Sequence, residues 1–177
     1  MMTVAPQGTT EETTMTTVWR VTDSPVGEIR IQASEGAISR LEFSPYAELP
    51  LGQPLGERDD EDPLLQRAVE QLTAYFAGVL REFDLPLSPR GTLFQQQVWE
   101  QLRGIGYGET TSYGVIAAQL GRTNTASRAV GLANGRNPIA IVIPCHRVIG
   151  ANGTLIGYAG GLERKRTLLD LEQGALF

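Results

Sequence analysis

The sequence predicts an α+β fold in which a small antiparallel sheet with one helix precedes a mostly helical half. Three segments of the first half alternate apolar and polar residues and are separated by turn sequences, which is typical of neighbouring antiparallel strands. The second half contains two short helical patterns joined by a tight, glycine-containing turn, the pattern of a helix-turn-helix. With 177 residues, 41% of them hydrophobic, the chain can form one domain or two small ones.

The first domain is predicted over residues 17–87, after a Thr- and Glu-rich flexible tail over residues 1–16. Its strands are predicted at 18–23, 28–33 and 37–43, and a surface loop with three prolines and an acidic run at 44–62. Asp62 is the predicted N-cap of the helix, with Pro63 at its first position. The apolar face of this helix has a 3.6-residue period and consists of Leu64, Leu65, Ala68, Leu72, Tyr75, Phe76 and Val79.

The second domain is predicted over residues 88–177 and begins with a helix that a capping box of Thr92 and Gln95 opens. The helices of the helix-turn-helix are predicted over residues 112–120 and 124–134, and a last helix over residues 162–172. Small side chains cover much of the helix over residues 124–134, so this helix could pack closely against DNA or, equally well, against a protein core. Between this helix and the last one, residues 139–143 are predicted to form an apolar strand. Ala151-Asn152-Gly153-Thr154 is predicted to form a two-residue hairpin that would be a wing.

Composition excludes several classes of protein. One cysteine and one histidine cannot form an internal disulfide or a zinc site of Cys and His ligands, so no metal is expected. The longest apolar run is far too short to cross a membrane, and no secretory signal precedes the first strand; we therefore expect a reducing, cytoplasmic setting. The net charge is −8 over residues 1–90 and +3 over residues 91–177, which argues against sequence-blind coating of nucleic acid but permits a local phosphate-binding face.

The only cysteine and the only histidine are neighbours, Cys145 and His146, directly after Pro144. A lone cysteine is most often a small core residue, but this adjacency favours nucleophilic chemistry, in which a basic group lowers the pKa of the thiol. Neighbouring side chains point in different directions, so a bridging water is a more natural relay than a direct thiol–imidazole bond. A carboxylate would hold the imidazole in the right tautomer.

The segment Ile143-Pro144-Cys145-His146-Arg147-Val148 resembles the active-site signature of the O6-alkylguanine–DNA alkyltransferases, the methylated-DNA–protein-cysteine methyltransferases. The likeness covers residues 88–172, including Arg136-Asn137-Pro138 and the segment from Gly157 to Leu162, and is greatest to short, single-cysteine bacterial members. It implies an RNase H-like first domain and a winged-helix-like DNA-binding second domain.

The resemblance also implies DNA repair by direct reversal. The alkyl group of O6-alkylguanine, and also of O4-alkylthymine, would pass from duplex DNA to the protein's own cysteine after base flipping, once and irreversibly. The resemblance implies no cofactor, double-stranded DNA as the partner, and a monomer that could assemble cooperatively on DNA.

Catalytic roles follow from the same resemblance. Cys145 would be the alkyl acceptor, His146 the base acting through water, and Glu172 the carboxylate that orients the imidazole. Asn137 would tie the recognition helix to the active-site segment, and Tyr113 would donate a hydrogen bond to the leaving guanine. Taken alone, Glu172 would be a solvated helix residue and Tyr113 a packing aromatic.

Binding roles follow in the same way. Arg128 would fill the base stack after the damaged nucleotide leaves it, and the other DNA-binding positions would be Thr110, Tyr113, Asn124, Ser127 and Ala129. The substrate pocket would be formed by Val148, Tyr158, Ala159, Gly160 and Lys165. Many family members have serine where this chain has Ala159; the backbone N–H can still donate to O6, so activity should survive while substrate preference changes.

Two alternatives use the same residues. A cysteine hydrolase would turn over an ester or amide, but it explains neither the helix-turn-helix nor the wing. A winged-helix regulator would bind a DNA sequence and keep its thiol after exposure to alkylated DNA.

Overall fold

The computed structural model describes residues 16–174, so the predicted tail lies outside the described residues except for its last position. The first domain contains a four-stranded sheet in the order β3-β2-β1-β4, with β1 Thr17–Thr22, β2 Ile29–Ser34, β3 Ala37–Phe43 and β4 Glu57–Arg58. β1, β2 and β3 are antiparallel, which confirms the three predicted strands. β4 pairs in parallel with β1, so the prediction of a plain loop at 44–62 and of a wholly antiparallel sheet is wrong there.

Helix α1, Pro63–Phe76, packs on this sheet. The carboxylate of Asp62 accepts a hydrogen bond of 2.9 Å from the backbone N–H of Leu65, which confirms the predicted cap. Leu65, Ala68, Leu72 and Tyr75 are buried. Val79 lies beyond the end of the helix and is 79% exposed, so its place on the apolar face was wrongly predicted.

The second domain consists mainly of four helices, α2 Leu93–Arg103, α3 Tyr113–Gln119, α4 Ser127–Gly135 and α5 Leu162–Glu172. The capping box of Thr92 and Gln95 is present, and a 3-10 turn over Asn124–Ala126 leads into α4. α3 and α4 pack against each other as the predicted helix-turn-helix requires. Trp99 of α2 is buried and donates a hydrogen bond of 2.9 Å to the carbonyl of Ala133 in α4, which fixes α2 against α4.

The apolar run 139–143 is not the strand that the sequence predicts. Ile139 forms a single bridge to Leu41 of β3, after which the chain turns. The turn requires a left-handed backbone at Ile141, with φ of 69°. The run is apolar because the molecule buries it beside β3, and a buried turn and a buried strand have the same composition.

The predicted wing also differs. β6, Val148–Ile149, would be the first strand of the predicted hairpin. It pairs in parallel with the earlier strand β5, Thr111–Ser112, and not with a strand after the turn. The turn at Asn152-Gly153 is present, but hydrogen bonds from the backbone N–H of Gly150 to the carbonyl of Thr154 and from Gly153 to Gly150 close a three-residue loop. Gly153 has φ of 82°, the left-handed residue that such a loop requires.

Buried apolar side chains of the two halves form one continuous core within residues 16–174. In the same part of the chain, no helix is both long enough and apolar enough to span a membrane.

Candidate active site

Cys145 begins a 3-10 turn, Cys145–Arg147, and is only 4% exposed. It lines a cavity of about 540 Å³ to which both halves of the chain contribute. Residues 157–160, here called the pocket loop, line the same cavity with Tyr158, Ala159 and Gly160. The thiol is therefore almost completely buried from bulk solvent, and it lies in the wall of this cavity.

Two asparagines hold the backbone around the thiol. The Asn137 side chain donates 2.7 Å to the carbonyl of Ile143 and accepts 3.0 Å from the N–H of Ile139, closing the turn that precedes the cysteine. Asn134, in α4, donates 3.3 Å to the carbonyl of Cys145 itself. The sequence indicated Asn137 and missed Asn134, although it is Asn134 that joins the helix directly to the cysteine.

His146 and Glu172 meet as the sequence analysis expected, with 2.7 Å between His146 Nε2 and Glu172 Oε1 and both side chains fully buried. Burial lowers the pKa of His146 and outweighs the opposing effect of Glu172, so the imidazole is neutral at pH 7. The neutral tautomer that suits this contact donates from Nε2 to the carboxylate. Nδ1, which is buried and has no hydrogen-bond partner within residues 16–174, is then free to accept a proton.

Glu172 also binds groups that sequence reasoning missed. Arg147 donates from Nε to Oε2 and from Nη2 to Oε1, each at 2.9 Å, and the Tyr75 hydroxyl donates 2.7 Å to Oε1. Although burial raises the pKa of this carboxyl, the hydrogen bonds from His146, Arg147 and Tyr75 lower it to about 2. Arg147 stands in the signature segment itself, but no local pattern reveals that a tyrosine of α1 reaches a carboxylate of α5.

Burial raises the pKa of the Cys145 thiol above its usual value. The amide of Asn137, the ammonium of Lys165 and the hydroxyl of Tyr158 oppose that rise because each stabilises the thiolate. Lys165 is fully buried and donates 2.6 Å to the carbonyl of Val148 and 2.9 Å to that of Ile156. Val148, predicted as a pocket residue, is itself buried and contributes this carbonyl.

The pocket loop packs against the first domain. The Tyr158 ring lies 6.2 Å from the ring of Phe43, centroid to centroid. A Cβ at position 160 would come within 2.7 Å of Phe43 and 2.8 Å of Tyr158, so only glycine fits between the two rings. Phe43 was not predicted as a site residue, because the alternation of apolar and polar residues in β3 indicates only that its side chain is buried.

Three of the six predicted DNA-binding residues, Tyr113, Ser127 and Arg128, line a second cavity of about 580 Å³, together with Tyr158 and Ala159 of the pocket loop. Tyr158 and Ala159 line both cavities, so the pocket loop joins the helical face to the thiol. The other three predicted positions do not line the second cavity: Ala129 and Thr110 are exposed, and Asn124 accepts a hydrogen bond of 2.8 Å from Ser127. The exposed Leu132 beside Arg128 was not predicted.

The Tyr113 hydroxyl donates 3.3 Å to the carbonyl of Ile156, close to the pocket loop. Residues 16–174 contain no group of three or more His, Cys, Asp or Glu side chains able to hold a metal ion. Fold and site together define a class of protein: a two-domain chain in which a face formed by α3 and α4 adjoins a buried thiol, a histidine and a glutamate.

Comparisons with known proteins identify the family. The family model of the 6-O-methylguanine DNA methyltransferase ribonuclease-like domain matches residues 17–89, and that of the DNA binding domain matches residues 93–174. The chain is 51% identical over 156 residues to a methylated-DNA–protein-cysteine methyltransferase of Mycobacterium bovis, covering 88% of this chain and 92% of that protein. For a protein of the same name from Methanosarcina acetivorans, identity is 48%, with coverage of 87% and 97%.

Among solved structures, the Mycobacterium tuberculosis OGT in complex with DNA is similar, with a TM-score of 0.80, 50% identity and coverage of 89% of this chain and 93% of that one. The M. tuberculosis O6-methylguanine methyltransferase has a TM-score of 0.81 and 49% identity, with the same coverage. The chain therefore belongs to the O6-methylguanine DNA methyltransferase family.

Proposed function

We propose that this protein repairs alkylated DNA by direct reversal, moving the alkyl group from O6 of guanine in duplex DNA to Sγ of Cys145. One observation carries the proposal: the single buried thiol shares a cavity with a loop that also reaches the helical DNA-binding face. Names of relatives at 48–51% identity and the DNA complex of the M. tuberculosis protein support it.

The reaction starts with a proton transfer. Nδ1 of neutral His146 accepts the thiol proton through a bridging water, while Glu172 stabilises the imidazolium that forms. The thiolate attacks the alkyl carbon in line, forming the C–S bond as the C–O6 bond breaks. The electron pair remains on the guanine, where the Tyr113 hydroxyl and the backbone N–H of Ala159 stabilise the developing charge.

No group in the site removes the alkyl group from sulfur again. The C–S bond of the resulting thioether is stable to nucleophilic attack, so each molecule reacts once and the protein is consumed stoichiometrically. O4-alkylthymine is proposed as a second substrate, because it also carries its alkyl group on an exocyclic oxygen.

The damaged nucleotide must leave the duplex before it reacts. Because Cys145 is only 4% exposed, a stacked base cannot reach the thiol, and extrusion costs a few kcal/mol. Arg128, exposed at the start of α4, enters the space that the base leaves, while Asn124, Ser127, Thr110 and Ala129 face the DNA backbone. The protein works in the cytoplasm as a monomer, which can associate cooperatively on DNA.

A stoichiometry titration tests this function. Duplex DNA with one tritiated O6-methylguanine is mixed with increasing protein, and label is counted on protein and on DNA. We expect one methyl per chain with wild type, and none with Cys145→Ala, which should still bind the duplex. Many methyl groups released per chain would instead indicate a hydrolase, and lesion binding without transfer would indicate a recognition protein.

A further inference from the structure

Two neighbouring side chains of α5 hold the two ends of the pocket loop. Lys165 donates 2.9 Å to the carbonyl of Ile156, just before the loop, and Arg164 donates 3.1 Å from Nη1 to the carbonyl of Gly160, at its end. The same helix carries Glu172 at its last position. α5 therefore fixes both the pocket loop and the partner of His146.

Arg164 continues beyond the loop to the first domain. Its Nε donates 2.7 Å to the carbonyl of Val26 and its Nη2 donates 2.7 Å to that of Ser44, while its guanidinium lies 5.1 Å from the ring centroid of Phe43. Gly27, at φ of 100°, leaves room for it, since a Cβ there would lie 3.2 Å from Nη2. One planar guanidinium thus joins the turn before β2, the end of β3 and the pocket loop.

These contacts bear on the thiol. Phe43 contacts both the guanidinium of Arg164 and the ring of Tyr158, and Gly160 is confined between the two rings. The hydroxyl of Tyr158 is one of the groups that oppose the raised pKa of the Cys145 thiol. The position of the pocket loop over Cys145 therefore depends on a domain that contains none of the sequence-predicted site residues.

We propose that Arg164 is a positioning residue for alkyl transfer, and that through it the first domain sets the distance between the pocket loop and Cys145. The inference rests on the proposed function and deepens it. An in-line displacement needs the alkyl carbon, the leaving oxygen and the thiolate within a narrow range of distance and angle, and small misplacements slow such reactions strongly. Arg164 also lines the cavity of Cys145, but its hydrogen bonds go to the carbonyls of Val26, Ser44 and Gly160, and its proposed effect on the thiol passes through Gly160 and Phe43.

A purely structural clamp would behave differently. If Arg164 only held the domains together, its loss would lower the melting temperature, and protein still folded at the assay temperature would transfer the alkyl group at the normal rate. A positioning residue must change the rate of the folded protein at saturating DNA and leave the concentration of DNA at half-saturation nearly unchanged.

The test uses Arg164→Met, which keeps the alkyl stem and removes all donors, and Arg164→Lys, which keeps the charge without the planar fork. Arg166→Met, an exposed neighbour on α5, is the matched control. Single-turnover rates are measured over a range of duplex concentrations, on protein shown by circular dichroism to be folded. We expect the transfer rate at saturating DNA to fall about tenfold or more in both Arg164 variants, while the DNA concentration at half-saturation changes little. The control should match wild type in both quantities. A saturating rate within about twofold of wild type in folded Arg164→Met overturns the proposal.

A second arm does not depend on alkyl transfer. Amide hydrogen exchange of residues 157–161 reports the order of the pocket loop directly. We expect faster exchange in Arg164→Met than in Arg166→Met, and equal exchange overturns the inference even if transfer is slowed. If wild type transfers no alkyl group, the proposed function fails, and this arm then decides separately whether Arg164 orders the pocket loop. If Arg164→Met does not fold, Phe43→Leu replaces it, since this variant keeps the hydrogen bonds of Arg164. We expect it to have the same two effects, faster amide exchange in the pocket loop and slower alkyl transfer. No change in either quantity would overturn the proposal.

Discussion

At the scale of single residues, Glu172 is the centre of the candidate site. Its carboxylate accepts hydrogen bonds from His146, Arg147 and Tyr75 in a fully buried setting. A buried carboxylate is stable only with such partners, and the partners in turn are costly to leave unpaired. Orientation of the histidine and stability of the fold therefore depend on the same side chain.

We expect Glu172→Gln to destabilise the protein by about 3–5 kcal/mol, because Arg147 is left buried without a counter-charge. Urea unfolding at pH 7 measures this, with Glu163→Gln, exposed on the same helix, as the control. The folded pKa of Glu172, about 2, is below the unfolded value of about 4.3, so its contribution is complete above pH 4.3 and disappears as pH falls towards 2. The stability gap between wild type and variant should narrow over that range; a gap below about 1 kcal/mol at pH 7 contradicts the assignment.

Lys165 is expected to influence the thiol through its charge. It is among the groups that oppose the raised pKa of Cys145, so Lys165→Met should raise that pKa further and move the pH profile of alkyl transfer to higher pH. The profile is measured from single-turnover rates, with Arg166→Met as control. A profile unchanged in shape and position would show that Lys165 serves only the carbonyls of Val148 and Ile156.

Residue-scale prediction from sequence rested on the signature segment, and it missed residues whose partners are distant along the chain. Cys145, His146 and Glu172 were identified through a family resemblance, and the structure brings them together. Tyr75 and Arg164 were missed because their partners lie 97 residues away for Tyr75 and up to 138 away for Arg164. Spacing along a chain carries no signal for contacts of that range.

At the scale of elements, local capping interactions were predictable from the sequence, whereas the backbone conformation of a buried apolar segment was not. Asp62 and the Thr92–Gln95 box cap helices through contacts only three residues apart, so the sequence contains both partners. The run 139–143 was misjudged because its composition reports burial, and a strand and a buried turn share that composition. β4 was not predicted because it has only two residues and pairs with β1, which lies about 40 residues earlier in the chain, so no local sequence pattern indicates it.

One substitution tests the role proposed for α4. Arg128→Ala should slow repair of duplex DNA far more than reaction with free O6-methylguanine base, because in the proposed mechanism it removes only the group that fills the emptied stack. Second-order rate constants on the two substrates measure this, with the free base as the internal control. Equal slowing on both substrates would count against the assignment.

At the scale of the whole molecule, the two halves share one core, and the thiol lies in a cavity between them. An alkyl group added to Cys145 must fit beside the pocket loop and the asparagines that hold the turn. Overfilling a packed site costs about 1–3 kcal/mol, so the alkylated protein should melt at a lower temperature than the free protein. Differential scanning fluorimetry before and after reaction tests this, and an unchanged or raised melting temperature contradicts it.

The overall architecture was predictable because each half has its own periodicity: alternating strands with one amphipathic helix, then capped helices around a tight turn. How the halves join was not predictable. The contacts of Arg164 with Val26 and Ser44 and of Phe43 with Tyr158 arise only once both halves are folded. The cavity around the thiol is a property of that assembly.

The most direct measurement is the intact mass of the protein after incubation with duplex DNA carrying one O6-methylguanine. The proposed function predicts the gain of one methyl group, located on Cys145 by peptide mapping and saturating at one per chain. An unchanged mass while the lesion remains bound would contradict the transfer, and Cys145 would then be a buried cysteine without a chemical role.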